Sequence, residues 1–525
     1  MRRILLASAG ALTLAACSDT LPVEHSRPDA PQLSVVQDAA NRYVVLLSSG
    51  TSSEGFSQAV ASLGGRVVAV HDGANVAVVE ELSAAAATRL ARVRGVQAVE
   101  PDLIASGVRP AARSLTTMTV NDAGAGAASQ ANPATAILFG LQWNQVAIGS
   151  PAAWAAGHLG SPSVKVAILD SGIDHTWPDL AGLVDVTRSA SFLPTSSTNC
   201  LDPSDHQLIN GRAATAACPA LPAFFPGKPA WADLNGHGTL TAGIVSSKGI
   251  VFAGVTSKVT LMAVKVMNAR GSGPFSSILQ GVTYATDQGA DVINMSLGAV
   301  FLRHGGYIGF LNAITQYARS RGVTVVVAAG NEGIDLDHSG GVYTAFCSSG
   351  MVICVSGTGP VVALNKDGEP DDFGPQFLPT LDEPAIYSNY GTSSIEVAAP
   401  GGNYALDEEG ELASYVAVWG GCSRTTLNYF PSEPPPDDAP EGTAPSDPRY
   451  EKSACTQALR AAGGIGTSAS SPHVAGLAAL LVERHGRNPG RIRTIIQQTA
   501  DDLGKPGVDS RYGKGRINVA RALGL

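Results

Sequence analysis

The sequence predicts an α/β protein, a doubly wound and mostly parallel sheet preceded by a small α+β domain. Three observations carry that prediction. From about Leu141 onward the near-continuous apolar runs VKVAILD, VTLMAVKV, ADVINMSLG and GVTVVVAAGN alternate with helical patterns, as parallel strands covered on both faces do. Between Asn41 and Asp102 the order is strand YVVLL, helix around Ser53–Leu63, strands RVVAV and NVAVVE, helix Ser83–Arg92 and strand GVQAVEP, a ferredoxin-like βαββαβ unit. The chain of 525 residues is 44% hydrophobic and 15% charged, enough to bury a large core, and its 59 glycines and 32 prolines call for many turns. There is no internal repeat. A formal charge of −9 with no basic stripe to offset it argues against a nucleic-acid partner.

The chain opens MRRILLASAGALTLAACSDT, where Arg2 and Arg3, a short apolar run and a small-residue site read as a secretory signal too short to span a bilayer. Its ending, Leu14-Ala15-Ala16-Cys17, looks like a bacterial lipobox, in which Cys17 is lipidated and becomes the new N-terminus. Signal 1–17 is then followed by a polar tether over 18–40, the small domain over 41–102, an Ala-, Gly-, Ser- and Thr-rich linker over 103–140, and the large domain over 141–525. Setting Cys17 aside, six cysteines remain, an even number suited to an oxidising compartment. Sequence proximity favours Cys200–Cys218, Cys347–Cys354 and Cys422–Cys455, and no CxxC pair speaks for metal. One low-complexity piece, FPSEPPPDDAPEGTAPSDP at 430–448, is acidic and too proline-rich for a helix or a central strand.

Open α/β sheets gather reactive groups at the carboxyl ends of their strands. VKVAILD ends on Asp170 before a Ser171-Gly172 turn, and VVVAAGNEG puts Asn331 at another strand end. His237 lies in NGHGTLTAGIV, where Gly236 and Gly238 clear space around the ring ahead of a small-residue helix. Each of these taken alone is as readily structural, and Asp174 and Asp179 read as turn residues. The fourth signal is GIGTSASSPHVAG, residues 464–476, where hydroxyls crowd before a helical apolar run. Ser470 and Ser471 are accounted for as helix caps, with Pro472 in the first turn. Ser468 sits further upstream, behind Gly464 and Gly466, and a nucleophile there would face the positive end of a helix. Together the four compose an acyl-transfer site. Ser468 attacks a carbonyl, His237 takes and returns its proton, Asp170 holds the imidazole tautomer, and Asn331 with the Ser468 N–H meets the oxyanion.

VAILDSGID, NGHGT, INMSLG, VVAAGNEG, YSNYG…VAAPG and GTSASSPHVAG, in that order, resemble the subtilisin-like serine peptidases. The resemblance covers about residues 141–525 apart from two insertions, 190–232 and 403–462, and residues 41–102 are similar to the family's inhibitor-type propeptide. It implies a subtilisin-like fold and a serine endopeptidase with Asp170, His237 and Ser468 in the family's own chain order, Asn331 as oxyanion donor, and no required cofactor. It implies that Gly271-Ser272-Gly273 and Ser296-Leu297-Gly298 pair with an extended peptide. Ala328, Ala329 and Gly330 would line the pocket for the residue before the scissile bond, with room for a large apolar side chain and with Glu332 as a lure for basic ones. The expected partners are a peptide or protein substrate and the chain's own propeptide, an intramolecular inhibitor and folding aid cut by the enzyme itself within 103–140. Membrane contact comes only through the lipid on Cys17, and the exported mature enzyme is expected to be a periplasmic or extracellular monomer.

This sequence also departs from the family pattern. Ala469 stands where the family has Met, and HGTLTAG stands for HGTHVAG, with the altered residues on the helix behind the histidine. The family's calcium loop carries Asn, whereas SSKGIVFAG here is short and has none. Asp179 alone cannot supply six to eight oxygens, so no metal ligand is assigned and calcium is left open. The two insertions precede the histidine and serine blocks and are expected near the active-site face. Two rival readings compete. A non-catalytic peptide-binding lipoprotein on the same fold predicts a damaged triad, and none is visible. An esterase of the α/β-hydrolase type needs GxSxG and the order Ser–Asp–His, neither of which is present.

Overall fold

The computed structural model describes residues 41–106, 115–120, 129–193, 227–269, 271–298, 300–302, 306–339, 342–344, 346–360, 381–404, 413–426 and 454–525. The signal, Cys17, the tether, Cys200 and Cys218 lie outside the described residues.

The small domain forms β1 (Tyr43–Leu47), α1 (Ser53–Ser62), β2 (Arg66–His71), β3 (Val76–Glu80), α2 (Ala84–Leu90) and β4 (Val96–Pro101), the order read from the sequence. Its strands pair antiparallel as β2-β3-β1-β4. Both helices begin where a serine caps them: Ser52 accepts from the Gly55 N–H and Ser83 from the Ala86 N–H. Alternation along β1 decides the packing. Val45 and Leu47 join Phe56, Val60 and Leu90 in the domain's own core, while Val44 belongs to the core of the large domain.

Next come β5 (Ile104–Ser106), β6 (Leu115–Thr119), α3 (Trp143–Ala147) and α4 (Ser150–Ala155). The large domain continues with β7 (Lys165–Asp170), β8 (Ala190–Ser191), α5 (His237–Val245), β9 (Thr260–Lys265), β10 (Ser272–Pro274) and α6 (Phe275–Asp287). After these follow β11 (Val292–Met295), β12 (Val300–Leu302), α7 (Tyr307–Ser320), β13 (Thr324–Ala328), β14 (Val342–Thr344) and β15 (Ile353–Gly359). The chain ends with β16 (Glu383–Pro384), β17 (Val397–Pro400), β18 (Val418–Gly421), α8 (Ala454–Gln457), β19 (Arg460–Gly464), α9 (Thr467–His485), α10 (Pro489–Gln498) and α11 (Val519–Ala522).

The central sheet runs β16-β15-β13-β11-β7-β9-β8, with β17 also on β15, and every pairing except β15–β16 is parallel. Its strands are apolar on both faces, and the faces serve different cores. Val166 and Ile168 of β7 pack with Val474, Leu477 and Leu481 of α9. Ala167 and Leu169 pack with Phe275 and Leu279 of α6 and Phe310 of α7. Period-two alternation therefore aims Asp170, the last residue of β7, at the α5/α9 side. Burying each large aliphatic side chain of α9 contributes about 1.5–3 kcal/mol, so this helix anchors the fold as well as carrying Ser468.

The segment expected as a plain linker is partly ordered by distant partners. β5 pairs antiparallel with β10, and β6 pairs antiparallel with β19 to complete a β18-β19-β6 sheet. Neither has a partner nearby in sequence, so local composition carries no sign of them. Cys347–Cys354 and Cys422–Cys455 are disulfide-bonded, with Cα atoms 5.1 and 5.7 Å apart.

Candidate active site

Asp170 is fully buried at the end of β7, and His237 opens α5. His237 Nδ1 lies 2.8 and 3.0 Å from the two Asp170 carboxylate oxygens. That pairing puts the neutral imidazole's proton on Nδ1 and leaves Nε2 as the basic nitrogen, and Nε2 has no partner among the described residues. The Ser171 N–H donates to Asp170 Oδ1 (2.7 Å) and the Thr241 hydroxyl to Oδ2 (3.3 Å). Burial works against the His237 imidazolium, but the Asp170 charge and hydrogen bond and the Asp233 charge outweigh it and hold the pKa above the ordinary histidine value.

Sequence reasoning missed Asp233 and Thr241. Asp233 is fully buried and accepts from the Ser171 hydroxyl (2.8 Å), the Gly236 N–H (2.8 Å), and the Thr239 N–H and hydroxyl (2.8 and 2.6 Å). An acid a few residues before a predicted helix start was the signal for it. Thr241 lies four residues after His237, hence on the same helix face, and that spacing was its signal. The glycine expected to clear the imidazole does other work. A Cβ on Gly238 would stand 2.1 Å from the Gly172 carbonyl oxygen, so Gly238 lets α5 touch the turn after Asp170.

The loop that carries Ser468 differs from expectation in one respect. α9 begins at Thr467 with Gly466 as N-cap, and no side chain caps it. Ser470 and Ser471 lie inside the helix, because it starts four residues earlier than a cap at Ser470 would place it. Thr467 instead ties the loop to β13. Its hydroxyl donates to Asn331 Oδ1 (2.8 Å) and accepts from the Gly330 N–H (3.0 Å), and its N–H also donates to Asn331 Oδ1 (2.8 Å). With Oδ1 committed, Asn331 Nδ2 is the outward donor, buried and without a partner among the described residues. Pro472 removes the N–H that would bond the Ser468 carbonyl, and the Ser296 hydroxyl donates there instead (2.8 Å).

Gly466 shows how closely these groups converge. Its φ is +150°, and a Cβ there would stand 2.9 Å from Asn331 Nδ2, 3.0 Å from Ser468 Oγ and 3.7 Å from Ser468 N. The Ser468 N–H is also among the first-turn amides that a helix leaves unpaired. α5 and α9 meet through Leu240, Ile244 and Ala469, which share one apolar cluster. Two of the three altered positions, Leu240 and Ala469, are thus in one cluster, while the third, Thr241, turns its hydroxyl to Asp170.

The proposed peptide-binding residues separate into two kinds. Ser272 and Gly273 lie on β10, where β5 pairs with them in the register Ser106↔Ser272 and Ala105↔Gly273, and Gly271 is the turn before it. Ser296 and Leu297 are buried, and the Ser296 side chain points inward to α9, with Gly298 following. Ala328 and Ala329 are buried at the end of β13, and Asn389 Nδ2 donates to the Ala329 carbonyl (3.0 Å). Gly330, at φ +105°, packs between Asn389 and Glu332. Glu332 accepts from the same Asn389 Nδ2 (2.6 Å), and burial pushes its carboxyl pKa up.

The Asp179 region does not fit the family's calcium. Asp179 is fully buried, its carboxylate accepts from the Ile250 N–H (2.5 Å) and the Val251 N–H (2.9 Å), and its carbonyl accepts from the Lys248 N–H (3.0 Å). A cation needs oxygens turned inward, and here amide donors are turned toward the carboxylate. Among the described residues no three His, Cys, Asp or Glu side chains gather as a metal site.

The described end of the second insertion braces the site. The Ser423 and Thr425 hydroxyls both donate to the Asp233 carbonyl (2.7 Å each), and the Arg424 N–H donates to Asp174 Oδ2 (2.9 Å). The adjoining Cys422 is the one bonded to Cys455.

The sequence profile of the subtilase family matches residues 161–515. Thermitase of Thermoactinomyces vulgaris is 28% identical over 385 residues, 73% of this chain and 95% of thermitase. Subtilisin amylosacchariticus of Bacillus subtilis subsp. amylosacchariticus is 30% identical over 380 residues, 71% of this chain and 69% of that protein. Among solved structures, the epidermin leader peptide processing serine protease of Staphylococcus aureus aligns over 92% of this chain and 98% of its own at 19% identity, with a TM-score of 0.61. Fervidolysin of Fervidobacterium pennivorans aligns over 92% of this chain and 61% of its own at 19% identity, with a TM-score of 0.58. At that identity the likeness shows a shared fold.

Proposed function

The chain belongs to the subtilase family, and on that footing we propose that it is an exported serine endopeptidase that uses Asp170, His237 and Ser468 and matures by cutting its own lipoprotein-type precursor. The observation that carries this reading is the convergence of Ser468 Oγ and Asn331 Nδ2 on one point beside Gly466, with His237 already oriented by Asp170. Ser468 Oγ attacks the peptide carbonyl while His237 Nε2 takes its proton. Charge on the tetrahedral oxygen is met by Asn331 Nδ2–H and the Ser468 N–H, and losing one such donor costs about 3–4 kcal/mol of transition-state stabilisation. The imidazolium then protonates the leaving amine, and water repeats the sequence on the acyl-enzyme. Asp170, buried and charged, favours the imidazolium throughout. No step needs a metal. Because Asn389 already holds Glu332, the pocket beside Ala328–Gly330 suits a large apolar side chain before the scissile bond better than a basic one.

We propose that the maturation cut, expected within 103–140, falls between β5 and β6, within residues 107–114. β5 lies antiparallel on β10 as an extended substrate would, and β6 lies on the strand leading into Ser468. Cutting there separates a lipid on Cys17 from the large domain. None of the described helices is long and apolar enough to cross a membrane.

The test is Ser468→Ala expressed with metabolic fatty-acid labelling. The variant precursor is expected to stay full-length and membrane-bound and to hydrolyse no peptide. Wild type is expected to give a soluble fragment starting within 107–114 and a lipid-labelled N-terminal fragment. Normal turnover by Ser468→Ala would sink the assignment, and lipid on the Ser468-containing mature chain would sink the release.

A further inference from the structure

β6 is held where the leaving half of a substrate would lie. It pairs with β19 through the full register Leu115↔Gly464 to Thr119↔Arg460, and the Val120 N–H adds a bond to the Leu459 carbonyl (3.0 Å). Alternation turns its inner face to the core: Val120 is part of the main apolar cluster and Met118 packs on it, while Thr117 and Thr119 are exposed. On the outer face the Arg460 guanidinium donates to Thr117 Oγ1 (3.1 Å), and on the inner face a Cβ on Gly463 would stand 3.0 Å from Thr116 Cγ2.

β19 runs directly into the Gly466-Thr467-Ser468 turn. The precursor lies on β10 upstream of the proposed cut and on β19 downstream of it, so β19 is the edge along which the leaving half of a peptide is laid. In the precursor β6 occupies that edge. The pairing ends at Gly464, and the following turn is committed elsewhere: the Gly466 N–H to the Gly401 carbonyl (2.8 Å) and the Thr467 N–H to Asn331 (2.8 Å). That leaves backbone for about two residues of extended peptide, because only alternate residues of an edge strand face a partner.

We propose that β6 stays on β19 in the mature enzyme and closes the leaving-group side of the cleft, so that strand-like recognition ends within about two residues past the scissile bond. The inference rests on Ser468 as nucleophile and on a cut between β5 and β6. Cutting upstream of Leu115 leaves β6 covalently joined, through the chain that follows, to residues already docked. There the Ser257 hydroxyl donates to the Gln130 carbonyl (2.8 Å), and the Gln130 amide donates back to the Ser257 carbonyl. A strand tethered in this way competes at high effective concentration with any incoming peptide. Substrates with longer leaving halves are still cut, but their distal residues must turn off the enzyme instead of extending its sheet.

The experiment measures kcat/KM of mature wild-type enzyme on fluorogenic peptides with one constant acyl half and leaving halves of one to six residues. We expect kcat/KM to climb to the second residue and then stay within about two-fold. Met118→Pro removes both the apolar anchor and the ladder N–H that strand alternation assigns to it from the Val120–Leu459 bond. In this variant the third to sixth residues should add about ten-fold. Hydrogen exchange on the mature wild type covers the case in which Met118→Pro does not mature: the Thr116 and Met118 amides should be protected. A ten-fold rise from the third to sixth residues in wild type overturns the proposal, as do amides there exchanging at free-chain rates. Hydrolysis that survives Ser468→Ala overturns instead the catalytic reading beneath it.

Discussion

At the scale of single residues, the surroundings of His237 decide how the site responds to pH. Asp170 and Asp233 together hold its pKa above the ordinary value of about 6.5. In the proposed mechanism His237 must be neutral to accept the Ser468 proton, so kcat/KM should be lost as pH falls through that raised value. Asp233→Asn removes one of the two charges and should move the acid limb to lower pH. A merely structural role for Asp233 would depress kcat/KM at every pH and leave the limb in place, so the pH profile separates the two. Asp170, His237, Asn331 and Ser468 were legible because each sits at a strand end or in a glycine turn. Asp233 and Thr241 were not singled out, because their partners Ser171 and the Asp170 carboxylate reach them only through the packing of α5 on β7.

At the scale of the element, α9 carries a second titration that concerns stability. His473 is fully buried, its Nδ1–H donates to the Ala469 carbonyl (2.8 Å), and its Nε2 accepts from Asn144 Nδ2 (2.8 Å). Burial pushes its pKa down to about 4. The unfolded chain, titrating near 6.5, therefore binds more protons between pH 6.5 and 4, and stability falls as pH falls across that window. The loss should reach roughly 3 kcal/mol by pH 4. Chemical denaturation from pH 8 to 4 checks it, and His473→Gln, weaker at neutral pH, should lose that part of the slope. The helix itself was legible in VAGLAALLVERHG, but its start was placed too late. Serines before a proline read as caps locally, whereas Asn331 from a strand more than 130 residues away takes the Thr467 amide.

At the scale of the whole molecule, the doubly wound sheet and the small antiparallel domain follow from period and burial, and both are readable in sequence. The pairings of β5 and β6 are not, since they depend on strands far along the chain. The Asp179 loop bears on the metal question. Chelation with EDTA is expected to leave the unfolding temperature of the protein unchanged. Asp179→Ala should cost about 3 kcal/mol by orphaning buried amides, equally with and without calcium. An EDTA-induced drop that disappears in Asp179→Ala would contradict this. The disulfide on the second insertion has a different kind of consequence. Cys422–Cys455 closes a ring around residues 423–454, and the acidic, proline-rich run lies inside it. A peptidase is exposed to its own activity and to that of its neighbours. One cut anywhere in that run opens the backbone without parting the chain, so the braces from Ser423, Arg424 and Thr425 stay joined to the strand that leads to Ser468, and damage at this loop need not inactivate the molecule.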